Sequence, residues 1–307
     1  MIIIDAPYQQ QRLDNYLLRE LKGVPKGLLY RLLRTGAIRI NGKRVKVEYR
    51  LQDGDRLYVP KIRMAKPQTL DVISDALRDY LQQAVLFEDT EVLIVNKPSG
   101  LAVHRGTGVQ SGLIEALRTL RPQEKQLALA HRIDRDTSGC VLIAKNRAVL
   151  KQCHELWRTK QVCKTYHVLV SGKWPKEVSQ IDAPLYKHER VSGERHVQVN
   201  SKGQTACTSF YVLRRFKDAT LLAAFPQTGR MHQIRVHCQH AGHAIIGDNR
   251  YNDKLSNRYY AKHYSIKRLF LHAQKIVLRL NKQWIRAEAP YDMRWQKAMD
   301  RLQHEKF

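Results

Sequence analysis

The chain has 307 residues, 43% of them hydrophobic, with 54 Lys and Arg against 28 Asp and Glu and a formal charge of +26. That length and apolar content allow one small and one medium domain with real cores. A charge excess of this size fits a polyanionic partner, nucleic acid first, ahead of a membrane surface or a merely basic enzyme. The five cysteines, Cys140, Cys153, Cys163, Cys207 and Cys238, are scattered without a C-x-x-C pair. This argues against a disulfide framework or a Cys-rich zinc site, and for a reducing, cytoplasmic setting. The apolar start is too short for a signal peptide, and no run approaches the ~20 apolar residues of a membrane span.

In chain order, Leu13, Tyr16, Leu17 and Leu21 recur at helical spacing, and Gly23 is a suitable stop. Pro25 suits the first turn of a second helix reaching Thr35, with Gly36 as its C-terminal cap. Leu28, Leu29, Leu32 and Leu33 share one face of that helix, and Lys26, Tyr30, Arg31 and Arg34 the other. Ile38 and Ile40, then Asn41-Gly42, then Val45 and Val47 predict a β-hairpin that carries Lys43, Arg44 and Lys46. Between Arg19 and Arg50 there are ten Lys or Arg and only two acids. A solvated surface is the plain explanation of such a run. Its concentration on one helix face and the adjoining hairpin also suits phosphate binding. Residues 63–84 read as a linker with a helical stretch near 76–84, leaving 85–307 as the second domain.

Strands are then expected at 85–87, 91–96, 141–145, 165–170, 208–213, 219–225 and 268–280, with helices at 148–159 and 232–241. Strands outnumber helices and hairpin-like neighbours are frequent, which predicts an α+β fold with a mixed, largely antiparallel sheet flanked by helices and loops.

Three segments could carry chemistry. Residues 131–139, His-Arg-Ile-Asp-Arg-Asp-Thr-Ser-Gly, are polar but lie between two apolar runs. A loop pinned between buried strands can hold a reactive group rigidly, and Arg132 and Arg135 favour the ionised form of Asp134. A structural Arg–Asp network closing a turn explains the same residues. In the second segment, 228–237, Thr228 or Gly229 can start a helix, with Arg230 near its beginning and placed to pair with Asp134 or a phosphate. His232, His237, His240 and His243 fit no familiar zinc spacing, so no metal is expected. In the third segment, Tyr166 shares a strand face with Val168 and Val170, as a core residue or as a pocket-edge ring for a base.

Further motifs accompany these: Asn96-Lys97-Pro98-Ser99-Gly100 with Val103-His104, Gly247-Asp248 with Tyr251, and Leu269-Phe270-Leu271-His272-Ala273. Taken in order, with Lys164-Thr165-Tyr166-His167 and Thr228-Gly229-Arg230, they resemble the RluA-type family of pseudouridine synthases. Residues 10–60 resemble an S4 RNA-binding domain, here bounded as 1–62. The resemblance implies that Asp134 is the catalytic aspartate and that Arg230 pairs with it. Tyr166 would stack on an extruded uracil and handle the proton released from C5. Arg132 and His131 would contact the displaced nucleotide, with Leu271 lining the pocket. Arg235 belongs to the matched motif without an assigned role. Ile133, Met231 and Asn252 depart mildly from the family pattern, and none removes a reactive group.

Residues 21–26, with Tyr30-Arg31 and Glu48-Tyr49, are similar to family members acting on 23S ribosomal RNA. That RNA, or a large-subunit assembly precursor, is therefore the expected partner of a monomer without membrane contact or cofactor. The isomerisation is redox-neutral and needs no energy source, which fits the absence of nucleotide-binding fingerprints. Three competing readings remain. A non-catalytic RNA-binding or ribosome-assembly protein leaves the second half unexplained. A ribonuclease would use His131 or His232 as acid and base. A glycosidase would pair Asp134 with Asp136, two residues apart in one loop.

Overall fold

The computed structural model describes residues 1–21, 24–62, 73–105, 111–189 and 195–304. Gly23 and residues 63–72 of the expected linker lie outside the described residues. The chain divides into two units, Met1–Leu70 and Asp71–Phe307.

In the first unit, β1 (Ile2–Ile3), α1 (Leu13–Glu20), α2 (Lys26–Thr35), β2 (Arg39–Ile40) and β3 (Arg56–Tyr58) follow one another. The strands form an antiparallel sheet in the order β1-β3-β2. Leu13, Tyr16 and Leu17 of α1, Leu29 and Leu33 of α2, and Ile40 and Leu57 of the sheet close one core. Gly36 ends α2 in the left-handed conformation, φ 73°, which a Cβ would disfavour. The hairpin expected around Asn41-Gly42 is cut short. Ile40 and Lys43 bridge across the turn, but the chain then leaves the ladder, and β2 pairs with β3 instead. Val45 and Val47 pack against the core as irregular backbone, so their alternation marks burial and not a strand.

The second unit opens with α3 (Asp75–Gln83), inside the expected linker. Ser74 caps it by accepting from Leu77 N, and Leu81 is buried in the core. Then come β4 (Val85–Glu88), β5 (Val92–Lys97), α4 (Leu113–Leu120), β6 (Ala128–Leu129), β7 (Ser138–Ala144), α5 (Arg147–Arg158) and β8 (Cys163–Ser171). They are followed by β9 (Gln180–Asp182), β10 (Leu185–Glu189), β11 (Arg195–Val199), β12 (Cys207–Arg215), β13 (Ala219–Pro226) and α6 (Gln233–His240). The chain closes with α7 (Lys254–Tyr264), β14 (Leu271–Leu280), β15 (Gln283–Glu288) and α8 (Met293–His304).

β10 and β11 pair as a separate ribbon, and the other strands form one ten-stranded sheet with the path β4-β5-β7-β14-β8-β13-β12-β9. β15 joins β14 and β6 joins β7 at its margins. Every pairing is antiparallel except β7 with β14. The fold is thus α+β with a mixed, largely antiparallel sheet.

Both faces of the sheet centre are covered, so β7 is buried at all seven positions and reads as one apolar run. Leu142 and Val92 pack toward α5 on one face; Val141, Ile143 and Leu93 pack toward α3 and α4 on the other. Toward the other end of the sheet, Val168, Leu222 and Ala224 meet Ile234 and Cys238 of α6. Gly139, φ 110°, permits the parallel contact of β7 with β14, because a Cβ there would lie 2.3 Å from the Ala273 carbonyl oxygen. That contact brings the loop entering β7 beside the start of β14 and the middle of β8.

Candidate active site

Asp134 sits in the loop between β6 and β7, which is gripped from the segment after β5. Lys97, with no exposed surface, donates to the carbonyls of Pro98 (2.9 Å), Leu101 (2.7 Å) and Arg135 (2.9 Å). Burial pulls its pKa down to about 7, while the charges of Asp136 and Asp134 oppose that shift. The three carbonyls match the three N–H donors of the ammonium form. Gly100 N reaches the Arg135 carbonyl at 2.9 Å, and the Ser99 hydroxyl the Asp136 carbonyl at 2.7 Å. Ser138 beyond the loop bonds His272 Nδ1 (2.9 Å), whose Nε2 lies 3.0 Å from the Ala289 carbonyl. A carbonyl can only accept, so His272 carries its proton on Nε2 and the serine hydroxyl donates to Nδ1.

The cation beside Asp134 is Arg235 and not Arg230. Arg235 Nη1 donates to Asp134 Oδ2 at 3.1 Å, and its Nε and Nη2 make a fork to Asp248 at 2.8 and 2.9 Å. Burial works against its charge, but the bond and charge of Asp248, then those of Asp134, outweigh it and hold the guanidinium above its ordinary value. Asp248 is itself fully buried and also accepts from the backbone of Arg250 and Tyr251. Gly247 allows that turn: at φ 78° it passes so close to Arg268 that a Cβ would overlap its carbonyl. Arg230 lies before α6, is exposed, and donates through Nε to the Thr205 carbonyl at 3.1 Å. The expectation placed the pairing arginine at the helix start; it stands on the buried body of α6.

His232 enters α6 in the left-handed conformation, φ 54°. Its Nδ1 meets the Tyr251 hydroxyl at 2.7 Å and its Nε2 lies 3.7 Å from Asp134 Oδ2. Gln233 ties the preceding turn down, accepting from Thr228 Oγ1 and Arg230 N and donating to Cys207 O and Thr208 Oγ1. Asp134, Tyr166, Leu271, Arg132, Arg230 and Arg235 all line one cleft of about 380 Å³, within the range that holds a small ligand. Tyr166 stands on β8 opposite Ala273. Burial first, then the nearby charge of Asp134, raises its phenol above the ordinary range. It is therefore neutral at physiological pH, a ring face and an O–H donor, and could take up a proton only after losing its own.

The chain is similar to known proteins along its whole length. A family model described as RNA pseudouridylate synthase matches residues 91–240, and an S4 domain model matches residues 11–57. Ribosomal large subunit pseudouridine synthase C of Pasteurella multocida is 45% identical over 309 residues, covering 100% of this chain and 94% of that one. The chain belongs to the RNA pseudouridylate synthase family. The protein of the same name from Escherichia coli K12 is 43% identical, with 99% and 97% covered. Among solved structures, human RNA pseudouridylate synthase domain containing 4 aligns with a TM-score of 0.63 at 25% identity, over 74% of this chain and 96% of that one.

In this synthase His131 shapes the cleft wall. Its Nε2 accepts from Leu142 N at 3.0 Å and its ring stacks on Trp157 at 4.8 Å. Burial pushes its pKa to about 3 and that of His232 to about 4, so neither suits acid–base cleavage of RNA near neutral pH. Asp136 pairs with Arg135 and faces a different cleft from Asp134, which removes the two-carboxylate arrangement of a glycosidase. The ring nitrogens of His237 are engaged by Thr208 and the Ala183 carbonyl, and Nδ1 of His243 by the Ser171 carbonyl. Among the described residues no group of three potential ligands gathers as a metal site, and no helix is long and apolar enough to cross a membrane.

In the first unit a groove of about 630 Å³ brings Tyr30, Arg31, Arg34, Arg44 and Lys46 together. Lys26 lies over the Tyr30 ring at 5.3 Å, while Lys43 is exposed outside the groove.

The buried histidines set a pH dependence. His131, His232, His167 and His272 are all held well below 6.5 by burial. The unfolded chain therefore binds these protons first. Stability is fully present above about pH 6.5, falls as the pH drops through 4, and continues to fall toward 3 through His131. Thermal unfolding followed from pH 8 to pH 3.5 is expected to show a Tm that holds above about pH 6.5 and falls as the pH drops below it.

Proposed function

We propose that this synthase converts uridines of large-subunit ribosomal RNA to pseudouridine, with Asp134 as the nucleophile and the first unit gripping RNA. The observation that carries the reading is Asp134 fixed beside Tyr166 in a concave cleft, its Oδ2 held by a buried arginine. The reaction breaks N1–C1′ and joins C5 to C1′. N1 gains a proton from solvent and C5 releases one, so no cofactor is consumed. A stacked base cannot reach the carboxylate, and extruding it costs a few kcal/mol. The charge of the first unit offsets that cost through phosphate contacts.

In the cleft, Tyr166 supplies a stacking face and Leu271 an apolar wall for the uracil. Arg132, exposed beside Asp134, contacts the vacated strand, and Arg230 at the cleft edge is a further contact for the nucleotide. Asp134 either attacks C1′ or removes a ribose proton to give a glycal. The names of the relatives, synthases of the large ribosomal subunit, support the choice of RNA.

The direct test is tritium release from C5-labelled uridine in 23S rRNA lacking the modification. Release identifies the isomerase, and binding without release would leave a ribosome-assembly protein. Removing residues 1–62 is expected to weaken rRNA binding, by about tenfold or more at physiological salt, while release at saturating RNA persists. Wild-type affinity in the truncated protein would refute the role given to the first unit.

A further inference from the structure

His232 stands beside the same Asp134 oxygen that Arg235 holds. Its Nε2 lies 3.7 Å from Oδ2, beyond a hydrogen bond but close enough for an N–H dipole to act on the carboxylate. The placement is strained, because His232 takes the left-handed conformation, φ 54°, which is uncommon for a residue with a Cβ. Asp134 Oδ1, by contrast, accepts no bond among the described residues; the Arg235 contact falls on Oδ2.

Tyr251 decides which nitrogen of that ring carries the proton. Val197 N, on the ribbon strand β11, donates to the Tyr251 oxygen at 3.3 Å, and the phenolic hydrogen has His232 Nδ1 within reach at 2.7 Å. The hydroxyl donates to Nδ1, so the proton of the neutral ring sits on Nε2, the nitrogen nearer Asp134. The reverse tautomer would turn the Nε2 lone pair toward a carboxylate. It would also leave the hydroxyl hydrogen without an acceptor among the described residues. Burial keeps the Tyr251 phenol protonated and the His232 ring neutral near neutral pH. The same tyrosine serves the other anchor as well. Its ring lies 5.0 Å from the Arg235 guanidinium, and its N donates at 3.1 Å to Asp248, the partner of Arg235.

We propose that His232 is a positioning residue for Asp134: held by Tyr251 as the Nε2–H tautomer, it shares Oδ2 with Arg235 and leaves Oδ1 to react. The inference rests on the isomerase reading and adds a residue to it. Active-site bonds are often long until substrate binds and tighten in the complex, so the Nε2–H closes on Oδ2 as Oδ1 reacts. By the direct route, an Oδ1 lone pair forms the bond to C1′ while the N1–C1′ pair leaves with the uracil. By the glycal route, that lone pair takes the C2′ proton, the C2′–H pair becomes the second C1′–C2′ bond, and the N1–C1′ pair again leaves with the uracil. The gain is one of geometry, since two donors on Oδ2 keep the carboxylate from rotating away from C1′.

The test uses the full chain and C5-tritiated 23S rRNA transcript, with His232→Asn as the discriminating change. Asparagine tolerates the left-handed conformation, and its carbonyl can still accept from the Tyr251 hydroxyl, but its side chain is too short to reach Asp134. kcat is expected to fall about tenfold to a hundredfold, while KM and RNA affinity change less than about twofold and Tm stays close to wild type. Tyr251→Phe keeps the ring on Arg235 but frees the tautomer, so kcat should fall about tenfold. The double variant should fall no further than His232→Asn alone, because the hydroxyl acts through the imidazole. Two-bond proton–nitrogen NMR at neutral pH reads the tautomer directly, and the histidine signal lost in His232→Asn should carry its proton on Nε2. A proton on Nδ1 would overturn the inference, and so would wild-type kcat in His232→Asn beside an active wild type. A fall in Tm and RNA affinity alongside kcat would overturn it too, by making His232 a residue of the fold. A wild type that releases no tritium would instead overturn the isomerase reading, and this inference with it, whatever the tautomer.

Discussion

Asp134→Asn is expected to abolish tritium release from C5-labelled rRNA, by about 10⁴-fold or more, because a neutral amide cannot replace the nucleophilic carboxylate. The change should spare the fold. Asparagine has the same shape, and the loop is held at the backbone of Arg135 and Asp136 and not through the Asp134 side chain. The amide oxygen can still accept from Arg235. RNA affinity and Tm should therefore remain close to wild type, and a large fall in either would mean that Asp134 is a structural residue closing a turn. Equal release by both proteins would remove Asp134 from the chemistry.

The second large effect is expected at Arg235. Its removal leaves Asp248 buried without its guanidinium partner, and breaking one side of such a pair costs about 3–5 kcal/mol. Arg235→Ala should show this as a lowered Tm, together with a loss of turnover of roughly 10²-fold or more as Asp134 loses its fixed position. Arg235→Lys keeps a charge but not the planar fork that spans Asp248 and Asp134, so it should recover only part of either property. Arg235→Met combined with Asp248→Asn removes both charges. It should regain stability but not activity, which separates the role in folding from that in positioning Asp134. Arg230→Ala, which loses only an exposed bond to the Thr205 carbonyl, should leave Tm unchanged and reduce turnover less than tenfold. The reverse ranking would restore Arg230 as the partner of Asp134.

The contrast between these two arginines marks where the sequence was readable and where it was not. The Asp134 loop is visible as a polar stretch between apolar runs because β7 is buried on both faces. Tyr166 is likewise placed by the alternation of β8. Arg235, however, has its main partner 13 residues away, on a turn made possible by Gly247, and no local spacing reveals that pairing. One signal was present. Arg235 lies between Ile234 and Val236, in a helix buried from Gln233 to Cys238, and a charge there requires a partner. The truncated hairpin has the same kind of cause. Val45 and Val47 alternate because they serve a core, and burial alone does not separate a strand from irregular backbone that packs inward. The ribbon of β10 and β11 and the helices α4, α7 and α8 fell in stretches where no expectation was formed.

The grip on the catalytic loop has a consequence for how such an enzyme can change. Within the loop, the bonds from Lys97, Ser99 and Gly100 end on carbonyl oxygens of Arg135 and Asp136, atoms that every amino acid possesses. The side chains at 135 and 136 are thereby released from the task of keeping Asp134 in place. They line a cleft other than that of Asp134, so a lineage could exchange them and still inherit the Asp134 carboxylate in its old position.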